Sequence, residues 1–135
     1  MTFQDYYRVG AHAIITDSEN RILLLKATYR DKFWGLPGGG TDSGETLEAT
    51  IFRECLEELG CEVEIRYVSG FYYHRKNNSH VAIFRCVLKD GAVIQLSEEH
   101  SEYRYADIST LSEVQRIRAE DCLNFDGQVK FRAFL

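Results

Sequence analysis

The sequence predicts a single domain of the α/β or α+β class, and three observations predict it. First, 135 residues with 44% hydrophobic content suffice for one core that buries roughly two-thirds of the unfolded surface. Second, most of the chain reads as short β-rich segments bounded by turn residues. Third, those segments are interrupted by one strongly amphipathic helix in the middle and by a second helical stretch late in the chain.

Residues 9–16 are β-rich, with His12 near the middle, and Asp17, Ser18, Glu19 and Asn20 supply turn chemistry. Residues 22–26 are a continuous apolar run, the pattern of a strand buried on both faces. A loop of mixed charge, 27–32, leads to Phe33, Trp34, Gly35 and Leu36. Pro37 fixes the entry to a glycine run, where Gly38, Gly39, Gly40 and Gly44 free the backbone for positive φ and for close approach to a ligand. Thr46 is the expected N-cap of the central helix, Glu48 sits in its first turn, and Gly60 fits the C′ position that ends it.

Residues 62–68 alternate as a strand. Residues 70–75 and 80–88 read as two strands joined by Lys76, Asn77, Asn78 and Ser79. Lys89, Asp90 and Gly91 make another turn, 97–102 an acidic loop and 103–106 a short strand. Ser109 or Thr110 is the expected cap of a helix over 111–119. The tail, 128–135, carries Val129, Phe131, Phe134 and Leu135, a pattern open to either a helix or a strand.

The central helix carries the chemistry. At about 100° per residue, Glu54, Glu57 and Glu58 share roughly a quarter to a third of its circumference. Leu47, Ile51, Phe52, Cys55, Leu56 and Leu59 are expected to form the buried half. A solvated acidic face is the ordinary explanation of such a pattern. Here Glu57 and Glu58 stand in the last turn, where the helix dipole opposes them. Glu54 and Glu58 are like charges at i,i+4, and no lysine or arginine stands at i+3 or i+4 to relieve the three acids. A bound hard cation would remove that cost, and oxygen ligands suit Mg²⁺, Mn²⁺ or Ca²⁺ rather than zinc.

The stretch also resembles the Nudix box: Gly39, five residues, Glu45, seven residues, then Arg53-Glu54-Cys55-Leu56-Glu57-Glu58-Leu59-Gly60-Cys61. Every glycine and charged position matches. Cys55 and Cys61 replace aliphatic residues, which a small buried hydrophobe such as cysteine can do. The resemblance implies an α/β/α sandwich with a central mixed sheet, and hydrolysis of a nucleoside diphosphate linked to another moiety with Mg²⁺ or Mn²⁺. It implies Glu54, Glu57 and Glu58 as metal ligands, an Arg53–Glu45 pair bracing the loop against the helix, and Gly38, Gly39 and Gly40 as backbone that meets the ligand. The segment from Glu98 to Tyr105 resembles the Glu-His-x-x-Tyr-x-Trp pattern of several Nudix hydrolases. On that match Glu99 is the expected further ligand or general base, ahead of Glu102 and Glu98, while His100 and Tyr103 support the loop. A nucleoside triphosphate or related nucleotide is the expected substrate. A nucleotide-sensing module without catalysis is the alternative, and the intact set of acids argues against it.

A net charge of −5 argues against a nucleic-acid partner but not against a small phosphate ester, since a metal can supply the positive charge. The chain shows no basic-then-apolar leader and no run long enough to span a bilayer. Cys55, Cys61, Cys86 and Cys122 lack metal spacing and read as reduced core thiols of a cytoplasmic protein. A monomer or homodimer is expected. Arg8, Lys26, Arg30, Lys32, Arg75 and Lys76 are possible phosphate contacts, though each alone reads as a surface charge. Phe33 and Trp34 are possible stacking surfaces, with one of the two expected in the core. His12, His74 and His80 read as ordinary strand or turn histidines.

Overall fold

The computed structural model describes residues 6–29 and 33–135; Arg30 and Lys32 lie outside the described residues. Its strands are β1 (Arg8–Ile14), β2 (Ile22–Ala27), β3 (Trp34–Gly35) and β4 (Gly38–Gly40), followed after helix α1 (Leu47–Leu59) by β5 (Val63–His74), β6 (Ser79–Leu88) and β7 (His100–Ala106). Helix α2 (Glu113–Leu123) and β8 (Lys130–Phe134) complete the order. One sheet has the strand order β4-β1-β6-β5-β8 and mixes parallel with antiparallel pairs; the other is β3-β2-β7, all antiparallel. The result is the expected mixed α/β sandwich. Ala11, Leu23, Ile51, Cys55, Leu59 and Phe84 form the core layer under α1, and Ile14, Leu24, Tyr72, Ile83, Ala119 and Cys122 the layer under α2.

Local chemistry accounts for most boundaries. Asp17 closes the first turn by accepting the backbone N–H groups of Glu19 and Arg21, at 3.0 and 2.9 Å, with Asn20 at φ 59°. Thr46 caps α1 by accepting from the Ala49 N–H, and Gly60 ends it at φ 66°, as the sequence indicates. All four cysteines are free and buried.

Several elements differ from expectation. Gly38–Gly40 is a strand rather than a loop: it pairs antiparallel with β1, placing Gly38 opposite His12. Only Gly38 and Gly44 of the glycine run take positive φ, 137° and 83°. The two strands expected at 62–68 and 70–75 are one long strand, bent at two bulges rather than broken. Helix α2 starts and ends later than expected. Asp107 spends its side chain on the Ser109 N–H in a 3₁₀ turn, and Ser112 is the cap instead. The tail is a strand, parallel to β5. Phe52 and Leu56 are 46% and 54% exposed. The stripe that meets the sheet runs Ile51, Cys55, Glu58, Leu59, and Phe52 and Leu56 lie about 100° further round.

Candidate active site

The packing of α1 across β4 and β1 builds the site. Glu58 is 6% exposed, and the Gly38 N–H donates to its Oε1 at 2.9 Å. Gly39 makes room for the neighbouring acid: a Cβ there would lie 2.8 Å from the Glu54 carboxyl carbon. Close approach, not positive φ, is therefore what Gly39 supplies. A Cβ on Gly40 would meet only Val9 O, at 4.0 Å, so the protein's own packing does not require glycine there.

Arg53 is a hub rather than a surface charge. Its Nε donates to Glu45 Oε2 at 2.6 Å and its Nη2 to Glu45 Oε1 at 2.9 Å, a two-pronged pair. The Nη1 reaches Glu54 at 2.7 Å and Glu57 at 3.3 Å, and Nη2 also donates to the Gly40 carbonyl. The sequence-based expectation that no cation relieves the three acids is thus corrected: Arg53 stands one residue before Glu54 and four before Glu57, on the N-terminal side. Thr50, fully buried, adds a hydroxyl donated to Glu45 Oε1 at 2.9 Å. Thr50 was not anticipated from sequence; its signal was its place one helical turn before Glu54.

The electrostatics divide the acids. Hydrogen bonds from Arg53 and from the Asp42 N–H hold Glu45 down at about 2. Burial pushes Glu58 up to about 8 against the pull of the Gly38 N–H, and the charges of Glu54 and Glu99 add to the rise. Burial also raises Glu54, despite Arg53. The ionised forms of Glu54 and Glu58 are therefore undercompensated by the protein itself, which favours the proton on each.

The acidic loop is shorter than expected. Glu102 belongs to β7 and pairs with Lys26 Nζ at 3.2 Å. Glu98 and Glu99 remain in the loop, pinned to the end of β2 through their carbonyls by Thr28. With Ser97 and Glu57 they line an open hollow. Glu99→Gln is accordingly expected to lower turnover at least about tenfold, with Glu98→Gln and Glu102→Gln within about twofold of the parent. Equal small effects at all three would make the loop mere solvated surface.

Among the described residues, no three acid, histidine or cysteine side chains are already gathered as a metal cage. Arg53 draws Glu54 and Glu57 toward itself, and Gly38 holds Glu58. The donors nevertheless fit a hard divalent cation in kind: all are carboxylates, and burial leaves two of them short of positive charge. Glu57 is a partial exception. It is 58% exposed and its bond to Arg53 is long. Glu57→Gln should shift the chelated protein's stability by no more than about 0.5 kcal/mol, and should reduce the gain in Tm on adding Mg²⁺ or Mn²⁺. Equal gains for both proteins in thermal unfolding would remove Glu57 from the ligand set.

The remaining expected contacts scatter. Trp34 is half-buried against the α2-side core with the Arg104 guanidinium 4.2 Å from its ring centre, and Phe33 is half exposed, so neither is the fully buried partner expected. Arg118, nine-tenths buried on α2 beside His74, was not anticipated. The apolar spacing of α2 is too weak to mark which positions face inward.

A helix that presents buried acids over a glycine strand, braced by one arginine, in a mixed α/β sandwich, defines a class of site rather than a solvated surface. The model of the NUDIX domain matches residues 6–122. An RNA pyrophosphohydrolase of Campylobacter jejuni is 29% identical over 130 residues, covering 80% of this chain and 82% of its own. A MutT-like protein of Streptomyces ambofaciens is 28% identical over 125 residues, covering 90% of this chain and 80% of its own. The fold is shared with an ADP-ribose pyrophosphatase of Streptococcus suis at a TM-score of 0.77 and 21% identity, over 96% of this chain and 100% of that one. The chain belongs to the Nudix family, as a Nudix-type hydrolase of phosphoanhydride bonds.

Arg53→Lys tests the brace. An ammonium is a point charge and cannot serve Glu45 in two prongs while also reaching Glu54 and Gly40. The expected results are a fall in Tm of roughly 5–10 °C and a turnover loss of at least about tenfold. A lysine variant indistinguishable from the parent in thermal unfolding would mean that Arg53 is dispensable.

Proposed function

We propose that residues 1–135 act as one Nudix domain that hydrolyses a phosphoanhydride of a nucleotide, most simply a nucleoside triphosphate, with a divalent cation held by Glu54, Glu57, Glu58 and Glu99. The observation that carries this reading is the pairing of buried Glu58 with Glu54 at the Gly38–Gly39 backbone, where Glu58 has no ion pair among the described residues and Glu54 shares Arg53 with Glu45 and Glu57. When bound, Mg²⁺ or Mn²⁺ would supply neutralisation of the pyrophosphate oxygens and a lowered pKa for attacking water. The chain's own residues do the rest. Arg53 and Glu45 fix the helix against β4. Gly38 orients Glu58 through its N–H. Glu99 brings an acid from outside the helix, suited to a further ligand or to accepting a proton from water. Glu58, pushed up to about 8, can also hold a proton near neutral pH. The four buried thiols fit a reducing cytoplasm, which is where we place the protein.

The test is a substrate panel with Mg²⁺ or Mn²⁺ and products resolved by chromatography. It comprises nucleoside triphosphates, a dinucleoside polyphosphate, ADP-ribose and a short RNA with a 5′-triphosphate, the last because of the relative named for RNA. Monophosphate plus pyrophosphate from a nucleoside triphosphate is the expected result. Turnover of the RNA alone would move the substrate to that class, against the expectation from net charge. Tight nucleotide binding with no turnover of any member would replace the enzyme with a sensor.

A further inference from the structure

A pocket opens directly beside Glu58. Glu58 and Gly38 form part of its wall, Leu25, Leu36 and Ala27 make it mostly apolar, and Tyr29, Phe33 and His100 complete it. Phe33 and Tyr29 are about half exposed. The Phe33 ring meets Gly35, where a Cβ would approach its Cε2 to 3.1 Å, so an aromatic ring stands at the edge of the pocket. The most informative group in the wall is His12.

His12 sits on β1 opposite Gly38. A Cβ at position 38 would lie 2.8 Å from its Nδ1, so glycine is what lets the ring stand there. Nδ1 is 3.3 Å from the Leu36 carbonyl oxygen. A carbonyl only accepts, so Nδ1 carries the proton and, in the neutral ring, Nε2 is a bare acceptor. Burial pushes His12 down to about 4, with the Arg118 charge adding to the fall and the Leu36 and Pro37 carbonyls opposing it, so the ring is neutral. Among the described residues, Nε2 has no hydrogen bond. The residue is only partly buried and lines the pocket.

We infer that this pocket receives the base of the nucleotide and that His12 Nε2 is a specificity-determining acceptor for an N–H on the base edge. The inference rests on the proposed nucleotide substrate and deepens it. An apolar slot with aromatic residues at its margin suits a flat heterocycle. A neutral acceptor in its wall requires a donor from it, because a buried acceptor left unpaired costs binding. The place beside Glu58 sets the base end of the substrate next to the acids that would engage its phosphates.

The test compares kcat/KM for ATP against purine riboside triphosphate, and UTP against 3-methyluridine triphosphate, in the parent and in His12→Leu. For the better substrate of ATP and UTP, the parent should prefer the N–H-bearing base by about tenfold or more. His12→Leu should erase that preference mainly through KM. Because His12 is part of the packed strand, the parent is also read directly. In long-range ¹H–¹⁵N spectra, His12 Nε2 should shift when a non-hydrolysable analogue of the better substrate binds, and not when the analogue lacks the N–H. Discrimination that survives in His12→Leu, or an Nε2 resonance that ignores both analogues, overturns the role of His12 while leaving nucleotide hydrolysis intact. Absence of turnover for every nucleotide overturns the proposed function and this inference with it.

Discussion

Glu58→Gln should lower turnover by at least about a hundredfold while leaving the fold intact. The side chain is buried beside Glu54 and held by the Gly38 N–H, and an amide keeps its volume and one acceptor while deleting its charge. The same variant carries a pH signature. Glu58 rises from 4.5 to about 8 in the folded protein, chiefly through burial. Between these values the folded state binds a proton that the unfolded state has lost. The contribution of Glu58 to stability in chelator is therefore fully present at the acidic end of this window and is lost as pH rises toward 8, by an amount on the order of a few kcal/mol. Glu58→Gln should lose that downward contribution from pH 4.5 to 8, leaving Glu54, which is raised as well, and the opposing effect of His12, His74 and His100, which burial lowers. Parallel slopes in urea titrations would mean that Glu58 is not a buried, undercompensated acid.

Gly38→Ala should be the most damaging single change to stability, by roughly 3 kcal/mol or more. Gly38 sits at φ 137°, and an added Cβ would stand 2.2 Å from the Ala11 carbonyl oxygen and 2.6 Å from the His12 Cα. These are backbone atoms of the interior strand β1, and they cannot swing aside as a side-chain tip can. Relief would require β4 to move off β1, and with it the N–H that holds Glu58. Loss of cooperative unfolding or a sharp fall in the urea midpoint, with activity lost in parallel, is the expected outcome. Gly40→Ala is the control, since its nearest neighbour would be 4.0 Å away, and it should unfold within about 1 kcal/mol of the parent.

The legible parts of this protein are those where one residue type has one job. Thr46 and Gly60 mark the ends of α1, and Asp17 and Asn20 mark the first turn, because capping and positive φ are local requirements. The spacing of Glu45, Arg53, Glu54 and Glu58 is also visible in sequence, and the structure brings these four together. The illegible parts depend on pairing. Three consecutive glycines suggest a loop, and only the register with β1 makes them a strand. The break between residues 68 and 70 looks like a turn, yet hydrogen bonding to β6 carries the strand through as a bulge. Phe52 and Leu56 satisfy the apolar side of a helical wheel, but the sheet is reached only by the stripe through Ile51 and Cys55. The positions three and four residues beyond each acid hold no cation, whereas Arg53 relieves Glu54 and Glu57 from the N-terminal side. His12 is an ordinary strand residue in sequence, and becomes distinctive only through the Leu36 carbonyl and the pocket beyond it.

The most direct measurement is hydrolysis of nucleoside triphosphates by the exhaustively chelated protein, before and after adding back Mg²⁺ or Mn²⁺, with Glu58→Gln alongside. The account predicts no turnover in chelator, full recovery in the parent with monophosphate and pyrophosphate as products, and almost none in Glu58→Gln. Undiminished turnover after chelation, or a Glu58→Gln protein as fast as the parent, would contradict it.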